Sequence, residues 1–254
     1  MILSVDIGNT SIKAGVYDKN DRVLYQDSIL TDTPDWKKEY RAFFEKVRNQ
    51  DFEVKDYIVS SVVPRTDDYL RELLQELFEV EGHFINAALV SDLMIHLKDR
   101  NELGADLIAS TYGALSKYEA PVIVADLGTA TKITVIDEKG EFLGGMILPG
   151  ITISNRAMQM LIPHLPRIQP ELPEKLLNED TEKCMQAGLM YGTIYQIRGI
   201  ADRLEEELGF KANKVLTGGY GRNICHELPE FRYEESLIED GIMAIYHRYC
   251  EEHH

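Results

Sequence analysis

The stretch Met1-Ile-Leu-Ser-Val-Asp6-Ile-Gly8-Asn9-Thr10-Ser-Ile-Lys13-Ala-Gly-Val-Tyr17 decides the reading of this chain. Met1 to Val5 is an apolar run with the character of a buried strand, and it ends at Asp6. Gly8-Asn9-Thr10 supplies a tight turn, after which Ile12, Ala14 and Val16 alternate as a second strand. The tip of this predicted hairpin carries a carboxylate, backbone N–H groups, hydroxyls and Lys13. Glycine lets backbone approach a ligand closely, a carboxylate holds a divalent cation directly or through water, and lysine adds a point charge. Such a tip suits a phosphate chain and its metal.

The same order of features recurs. Val122-Ile-Val-Ala125 is an apolar strand, Asp126-Leu-Gly128-Thr129-Ala-Thr131 a turn, and Lys132 to Asp137 an alternating strand. Either hairpin alone also reads as an ordinary Asp- or Asn-containing turn. Two matching copies weaken that reading, and together they resemble the acetate and sugar kinase/Hsp70/actin superfamily. The resemblance implies an α/β fold of two duplicated actin-like (ribonuclease H-like) domains, with mixed sheets flanked by helices and a nucleotide cleft between them. The expected domains are residues 1–118 and 119–254, with the terminal helix packing back on the first.

Composition narrows the function. The apolar fraction of 44% is ordinary for a globular protein. No apolar run reaches the roughly 18 residues of a membrane helix, and the start lacks the features of a secretory signal. A cytosolic protein is expected. Cys184, Cys225 and Cys250 form no close pair and fit neither a disulfide framework nor a zinc site. With 43 acidic against 27 basic residues the net charge is −16, which argues against nucleic-acid and anionic-membrane partners. A nucleotide can still bind where N–H groups, Lys13 and a cation offset the repulsion.

The rest of the chain alternates strands and helices. Strands are expected at 22–29, 56–63 and 84–85, and helices at 35–49 and 66–79. Trp36 belongs to the apolar stripe of the first helix and reads as packing; 89–98 is apolar but ambiguous. Gly104-Ala105-Asp106-Leu107 opens a helix running to Lys117, which leaves Asp106 near its amino terminus. There it serves either as a helix cap or as a general base. Beyond the second hairpin a strand breaks into Gly144-Gly145-Met-Ile-Leu-Pro149-Gly150, followed by a helix over 153–161. Residues 163–182 hold four prolines and read as a functional lid or an interface. Thr181 opens a long helix to about Leu208, as its cap or as a substrate ligand. Gly188, Gly192 and Gly199 within it suggest close approach of another backbone, such as a partner subunit. Lys214 to Thr217 is a strand into the Gly218-Gly219 turn, followed by helices at 222–228 and 236–249. His253-His254 reads as a purification-tag remnant.

Three loops therefore gather chemistry: the two hairpin tips for phosphates, and Thr217-Gly218-Gly219, against whose backbone an adenine ring can slide. No Gly-x-Ser-x-Gly elbow, His-Glu-x-x-His helix or Gly-rich loop with a following Lys-Ser/Thr is present. Phosphoryl transfer needs positioning, charge neutralisation and a base for the acceptor's proton. Asp6 and Asp126 for metal and Asp106 for the base meet that need.

The successive segments Asp6 to Lys13, Gly104-Ala105-Asp106, Asp126 to Thr131 and Gly144 to Gly150 resemble the motifs of type III pantothenate kinases, in order, over essentially the whole chain. The resemblance implies ATP with Mg²⁺, a monovalent cation (K⁺ or NH₄⁺), and phosphorylation of pantothenate in the first step of coenzyme A synthesis. It also implies a homodimer with the substrate site at its interface. By motif, Asp6, Gly8, Asn9, Thr10, Lys13, Gly128 and Thr129 would contact ATP, and Asp126 the monovalent cation. Gly104, Ala105, Asp106 and Leu107 would line the pantothenate site, with Asp106 as proton acceptor and Thr181 as a substrate ligand. Two departures stand out. Leu107 occupies the place of the family's arginine, and 97–101 lacks the family's substrate-contacting tyrosine. Losing a charged partner there would weaken acceptor binding by roughly 1.5–3 kcal/mol unless Lys98 or Arg100 replaces it. Those departures keep two other readings open: a kinase of this fold for another small hydroxyl substrate, and a silent nucleotide-binding regulator, although Asp106 has no role in the latter.

Overall fold

The computed structural model describes residues 1–253 and comprises two compact units. The first consists of residues 1–93, 97–116 and 237 onward, and the second of 94–96 and 117–236. His253 closes the last helix, whereas His254 of the expected tag remnant lies outside the described residues.

The first unit is built on strands β1 (Ile2–Ile7), β2 (Ser11–Tyr17), β3 (Val23–Leu30), β4 (Asp56–Ser61) and β5 (Gly82–Phe84), in the order β3-β2-β1-β4-β5. β1 and β2 pair antiparallel, as do β2 and β3, while β1–β4 and β4–β5 are parallel. Helix α1 (Trp36–Arg48) joins β3 to β4, and α2 (Pro64–Phe78) joins β4 to β5. Pro64 ends the strand reading as expected, but it does so by opening α2 at the first helical position, where its missing N–H costs nothing. Tyr40, Phe43, Phe44 and Val47 of α1 and Leu70, Leu73, Leu74 and Leu77 of α2 pack with Leu3, Val5 and Ile7 of β1 in one core. Trp36 joins its edge, packed on Tyr40 and Tyr69, which agrees with a packing role.

The second unit repeats this plan. Strands β6 (Val122–Leu127), β7 (Ala130–Ile136), β8 (Phe142–Pro149), β9 (Asn213–Thr217) and β10 (Phe231–Tyr233) run in the order β10-β9-β6-β7-β8, with matching senses. The duplication extends to irregularities: β2–β3 slips register between Val16 and Tyr17, and β7–β8 between Val135 and Ile136. Helices α4 (Ile151–Leu161) and α5 (Thr181–Leu208) lie between β8 and β9, and the short α6 (Gly221–Ile224) follows β9. Strand β10 carries no sequence signal; three residues paired on β9 are too few to show a period. The proline-rich segment before α5 is strapped down rather than free. Ile168 is buried in the core, and its carbonyl and that of Gln169 accept hydrogen bonds from Asn155 and Gln186.

Helix α3 (Ala105–Lys117) and the last helix, α7 (Leu237–His253), belong to the first unit, where α7 packs on β1 and β4. The two helices cross backbone to backbone. A Cβ on Gly113 would stand 2.1 Å from the Leu237 carbonyl oxygen, and one on Gly241 1.8 Å from that of Ala109. In contrast, nothing in the chain lies within 4 Å of a Cβ placed on Gly188, Gly192 or Gly199 of α5. The glycines that enforce close helix approach within the chain are therefore Gly113 and Gly241, which no period in the sequence reveals.

The crossing sets a test. Gly241→Ala should lower stability to urea by about 1–3 kcal/mol, the range for a side chain forced into packed space. Gly192→Ala, on an open helix face, should leave the monomer no less stable, because alanine is the better helix former.

Candidate functional site

In the first unit the hairpin tip is held from behind. Gly8 donates its N–H to the Ser11 carbonyl at 3.0 Å, and its own carbonyl accepts the Thr31 hydroxyl at 2.6 Å. The Thr31 N–H donates to the Thr10 carbonyl, and the Thr31 carbonyl in turn accepts the hydroxyl of fully buried Tyr40. This chain from α1 through the end of β3 fixes the tip's backbone and leaves Asn9 and Thr10 exposed. The sequence reading missed both Thr31 and Tyr40, because neither stands near the tip in the chain.

Four ionisable side chains meet beside that tip. Asp6 ends β1, directly across from Lys13 on β2. The Lys13 ammonium donates at 2.8 Å to Glu239, a buried residue of the first turn of α7. Asp106 stands in the first turn of α3 and is close enough to act electrostatically on Asp6. Burial chiefly, and then the negative charges of Glu239 and Asp106, push the Asp6 carboxyl up to about 7, with Lys13 partly offsetting them. Glu239 was not foreseen. The acidic pair Glu239-Asp240 between apolar Leu237-Ile238 and Gly241-Ile242-Met243, at the start of the last helix, is the signal that could have drawn attention to it.

Asp106 is not the residue that caps α3 from outside the helix; the Leu107 and Ile108 N–H groups turn back to the Gly104 carbonyl. The Asp106 carboxylate accepts from the Leu107 N–H at 2.8 Å. A Cβ on Gly104 would come within 2.9 Å of that carboxylate, so the glycine preserves the side chain's position. Ala105 is buried and Leu107 half-buried. Arg100, one candidate to replace a missing arginine, spends its guanidinium on the Ala87 and Val90 carbonyls, whereas Lys98 is exposed.

In the second unit Asp126 ends β6, is buried, and lies across from Lys132 on β7. Here the cross-strand pair closes on itself, with Lys132 Nζ 3.0 Å from Asp126 Oδ2. Gly128 and exposed Thr129 form the tip. Gly150, preceding α4, packs its backbone under that tip, since a Cβ there would be 2.3 Å from the Thr129 carbonyl oxygen. Gly218 adopts φ +88° and abuts the Leu127 backbone, which a Cβ there would approach to 2.6 Å, so it meets two demands that only glycine satisfies. Gly219 beside it is open. Thr181 is the exposed first residue of α5; the helix is capped by Asp180, whose side chain accepts from the Lys183 N–H, so of the two readings of Thr181 the cap falls to its neighbour.

Asp6, Lys13, Gly104 and Asp106 are thus gathered within the first unit, joined by Glu239, and Asp126, Gly128, Thr129 and Gly218 within the second, joined by Lys132 and Gly150. Among the described residues no three His, Cys, Asp or Glu side chains are spaced to cage a metal ion. No helix there is long and apolar enough to cross a membrane.

The chain also has relatives among known proteins. The chain is similar to a type III pantothenate kinase of an Exiguobacterium species (35% identity over 98% of this chain and 99% of the relative). It is also similar to that of Agathobacter rectalis (36%, over 98% and 97%). Among solved structures it shares its fold with a ROK family protein from Streptococcus pneumoniae (TM-score 0.53, 15% identity, 99% and 98% of the two chains). A glucokinase from an Antarctic psychrotroph is similar too (TM-score 0.51, 12%, 97% and 98%). These likenesses bear out the actin-like α/β fold with two mixed sheets. Residues 2–203 match the type III pantothenate kinase family, and with relatives of that name spanning its whole length the chain belongs to this family.

Proposed function

We propose that the protein transfers the γ-phosphoryl group of ATP to the hydroxyl of pantothenate, giving 4'-phosphopantothenate, the first step of coenzyme A synthesis, in the cytosol. The observation that carries this reading is the Asp6–Lys13–Asp106–Glu239 cluster, built on the β1–β2 tip of a chain that belongs to the family throughout. Asp106 takes the proton of the attacking hydroxyl, at the start of a helix whose amide dipoles favour negative charge there. Lys13, steered by Glu239, offers its ammonium to the phosphates. Gly8, Asn9, Thr10, Gly128 and Thr129 supply backbone N–H groups and hydroxyls to them, and Gly218 and Gly219 a flat backbone surface for the adenine. Gly104, Ala105, Leu107 and Thr181 line the acceptor site.

The donor set suits Mg²⁺ in one respect. Mg²⁺ keeps several waters and binds through one or two carboxylates plus substrate phosphates, so the lack of a three-ligand cage among the described residues is compatible with it. Asp6 would hold it, and when bound the ion would supply charge neutralisation at the transferring phosphoryl group. The monovalent cation expected at Asp126 does not fit in the same way, because that carboxylate already bears the Lys132 ammonium.

A second copy of the chain completes the assembly in this reading. Gly188 and Gly192 of α5 line a groove of about 400 Å³ with Pro149, Met158, Leu189 and Thr193. Exposed Ile147, Met160 and Leu161 lie on the same unit. Leu107 favours one other reading, a kinase of this fold for a different small hydroxyl compound.

A turnover assay with ATP and magnesium, scoring phosphopantothenate by mass, separates the two. Product supports pantothenate, while nucleotide binding without product redirects the search to other hydroxyl acceptors. Asp106→Asn should leave nucleotide binding intact and lower kcat by about 10²–10⁴-fold, the usual contribution of a general base. An undiminished rate would remove Asp106 from that role.

Asp6 yields a pH prediction. Its folded carboxyl, at about 7, holds protons that the unfolded chain releases near its ordinary value of 3.8. The folded state thus binds more protons between those values, so this group's contribution to stability falls as pH rises from about 4 to 7 and is level above. Asp6→Asn should therefore raise the stability of the ligand-free protein at pH 8 by up to ~4 kcal/mol and change it little at pH 4, read from urea melts at both pH values. Magnesium–ATP binding should release a proton near pH 6.5, detectable as a buffer-dependent enthalpy.

A further inference from the structure

Each hairpin sets a lysine directly across from its aspartate, Lys13 from Asp6 and Lys132 from Asp126. The two lysines are used differently. In the first hairpin the connection between the pair is one residue longer, and the ammonium reaches past its cross-strand neighbour to Glu239 at 2.8 Å. In the second, Lys132 Nζ lies 3.0 Å from Asp126 Oδ2, and both side chains are largely removed from solvent (17% and 9% exposed). A carboxylate buried at a strand end needs a compensating cation nearby, and this one is supplied by the chain.

We infer that the Lys132 ammonium takes the place of the free monovalent cation at Asp126, so that nucleotide binding and turnover require magnesium but neither potassium nor ammonium. The inference rests on the kinase reading above and removes one cofactor requirement from it. A second cation at the same carboxylate would stand beside a positive charge in a poorly solvated place, where like charges repel strongly. The ammonium of lysine is a compact point charge with three donors, the same chemical group as an ammonium ion, but delivered on a tether. Its position is fixed by strand register, since Lys132 lies between Thr131 and Ile133 in an unbroken ladder opposite Leu127 to Ala125. Releasing Asp126 to a diffusible ion would require turning the lysine out of a largely buried site and separating two opposite charges during the exchange.

The test compares potassium chloride with tetramethylammonium chloride at equal ionic strength, with magnesium throughout. Two quantities are read: the affinity for the β,γ-imido analogue of ATP by calorimetry, and phosphopantothenate formation. The wild-type protein should give the same affinity and rate in both salts. In Lys132→Met, which keeps most of the length of the side chain and loses its charge, both should fall about tenfold or more in tetramethylammonium and recover with potassium or ammonium. A wild-type affinity or rate that drops about tenfold without potassium overturns the inference, as does a Lys132→Met protein indifferent to the salt. If Lys132→Met does not fold, the wild-type comparison alone decides. Absence of product in every salt would instead overturn the pantothenate reading, and the calorimetric comparison would still settle the cation.

Discussion

A carboxylate placed at the end of a buried strand must be compensated, and the organisation of both units follows from how this is done. Asp6 is compensated incompletely. Its nearest cation is shared with Glu239, a second acidic residue crowds it, and its proton affinity rises accordingly. Asp126 is paired directly with a lysine on the next strand. The same hairpin thus gives one carboxyl with a raised proton affinity and another held in an ion pair. The two connections differ in length by one residue, although each aspartate faces its lysine directly.

Most of the architecture is legible in the order of residues. The hairpins announce themselves because each is a local feature: an apolar run, Asp, a glycine turn and an alternating strand within seventeen residues or fewer. Their recurrence carries the fold class, and α1, α3 and α5 begin and end within a residue or two of their expected limits. What stays hidden is what depends on distant parts of the chain. Glu239 meets Lys13 across 226 positions, and Thr31 reaches Gly8 across 23. No periodicity encodes such meetings. The glycines show the same limit: those of α5 draw attention by their spacing, while Gly113 and Gly241, single residues in two separate helices, make the crossing. Lys132 is visible as a strand residue, but only strand register turns it into the partner of Asp126.

Internal duplication makes these contrasts interpretable, since each unit serves as a control for the other. The strand orders, pairing senses and even the register slips agree. Differences between the copies therefore stand out as specialisation rather than drift in the scaffold: one tip is braced by Thr31 and Tyr40, the other is underlain by Gly150 and Gly218.

The last helix has a consequence for synthesis. It follows every other element of the first unit in the chain, yet it packs on β1 and β4 and brings Glu239 to Lys13. During translation the β1–β2 hairpin leaves the ribosome long before this helix exists. Until residues 237–253 emerge, the Lys13–Glu239 pair cannot form and the face of α3 that α7 covers stays open. The first unit is accordingly the last to be finished, and the nascent chain cannot assemble this cluster early. Any cleavage that trims α7 would remove Glu239 from a cluster whose other members include Lys13, 226 positions away in the chain.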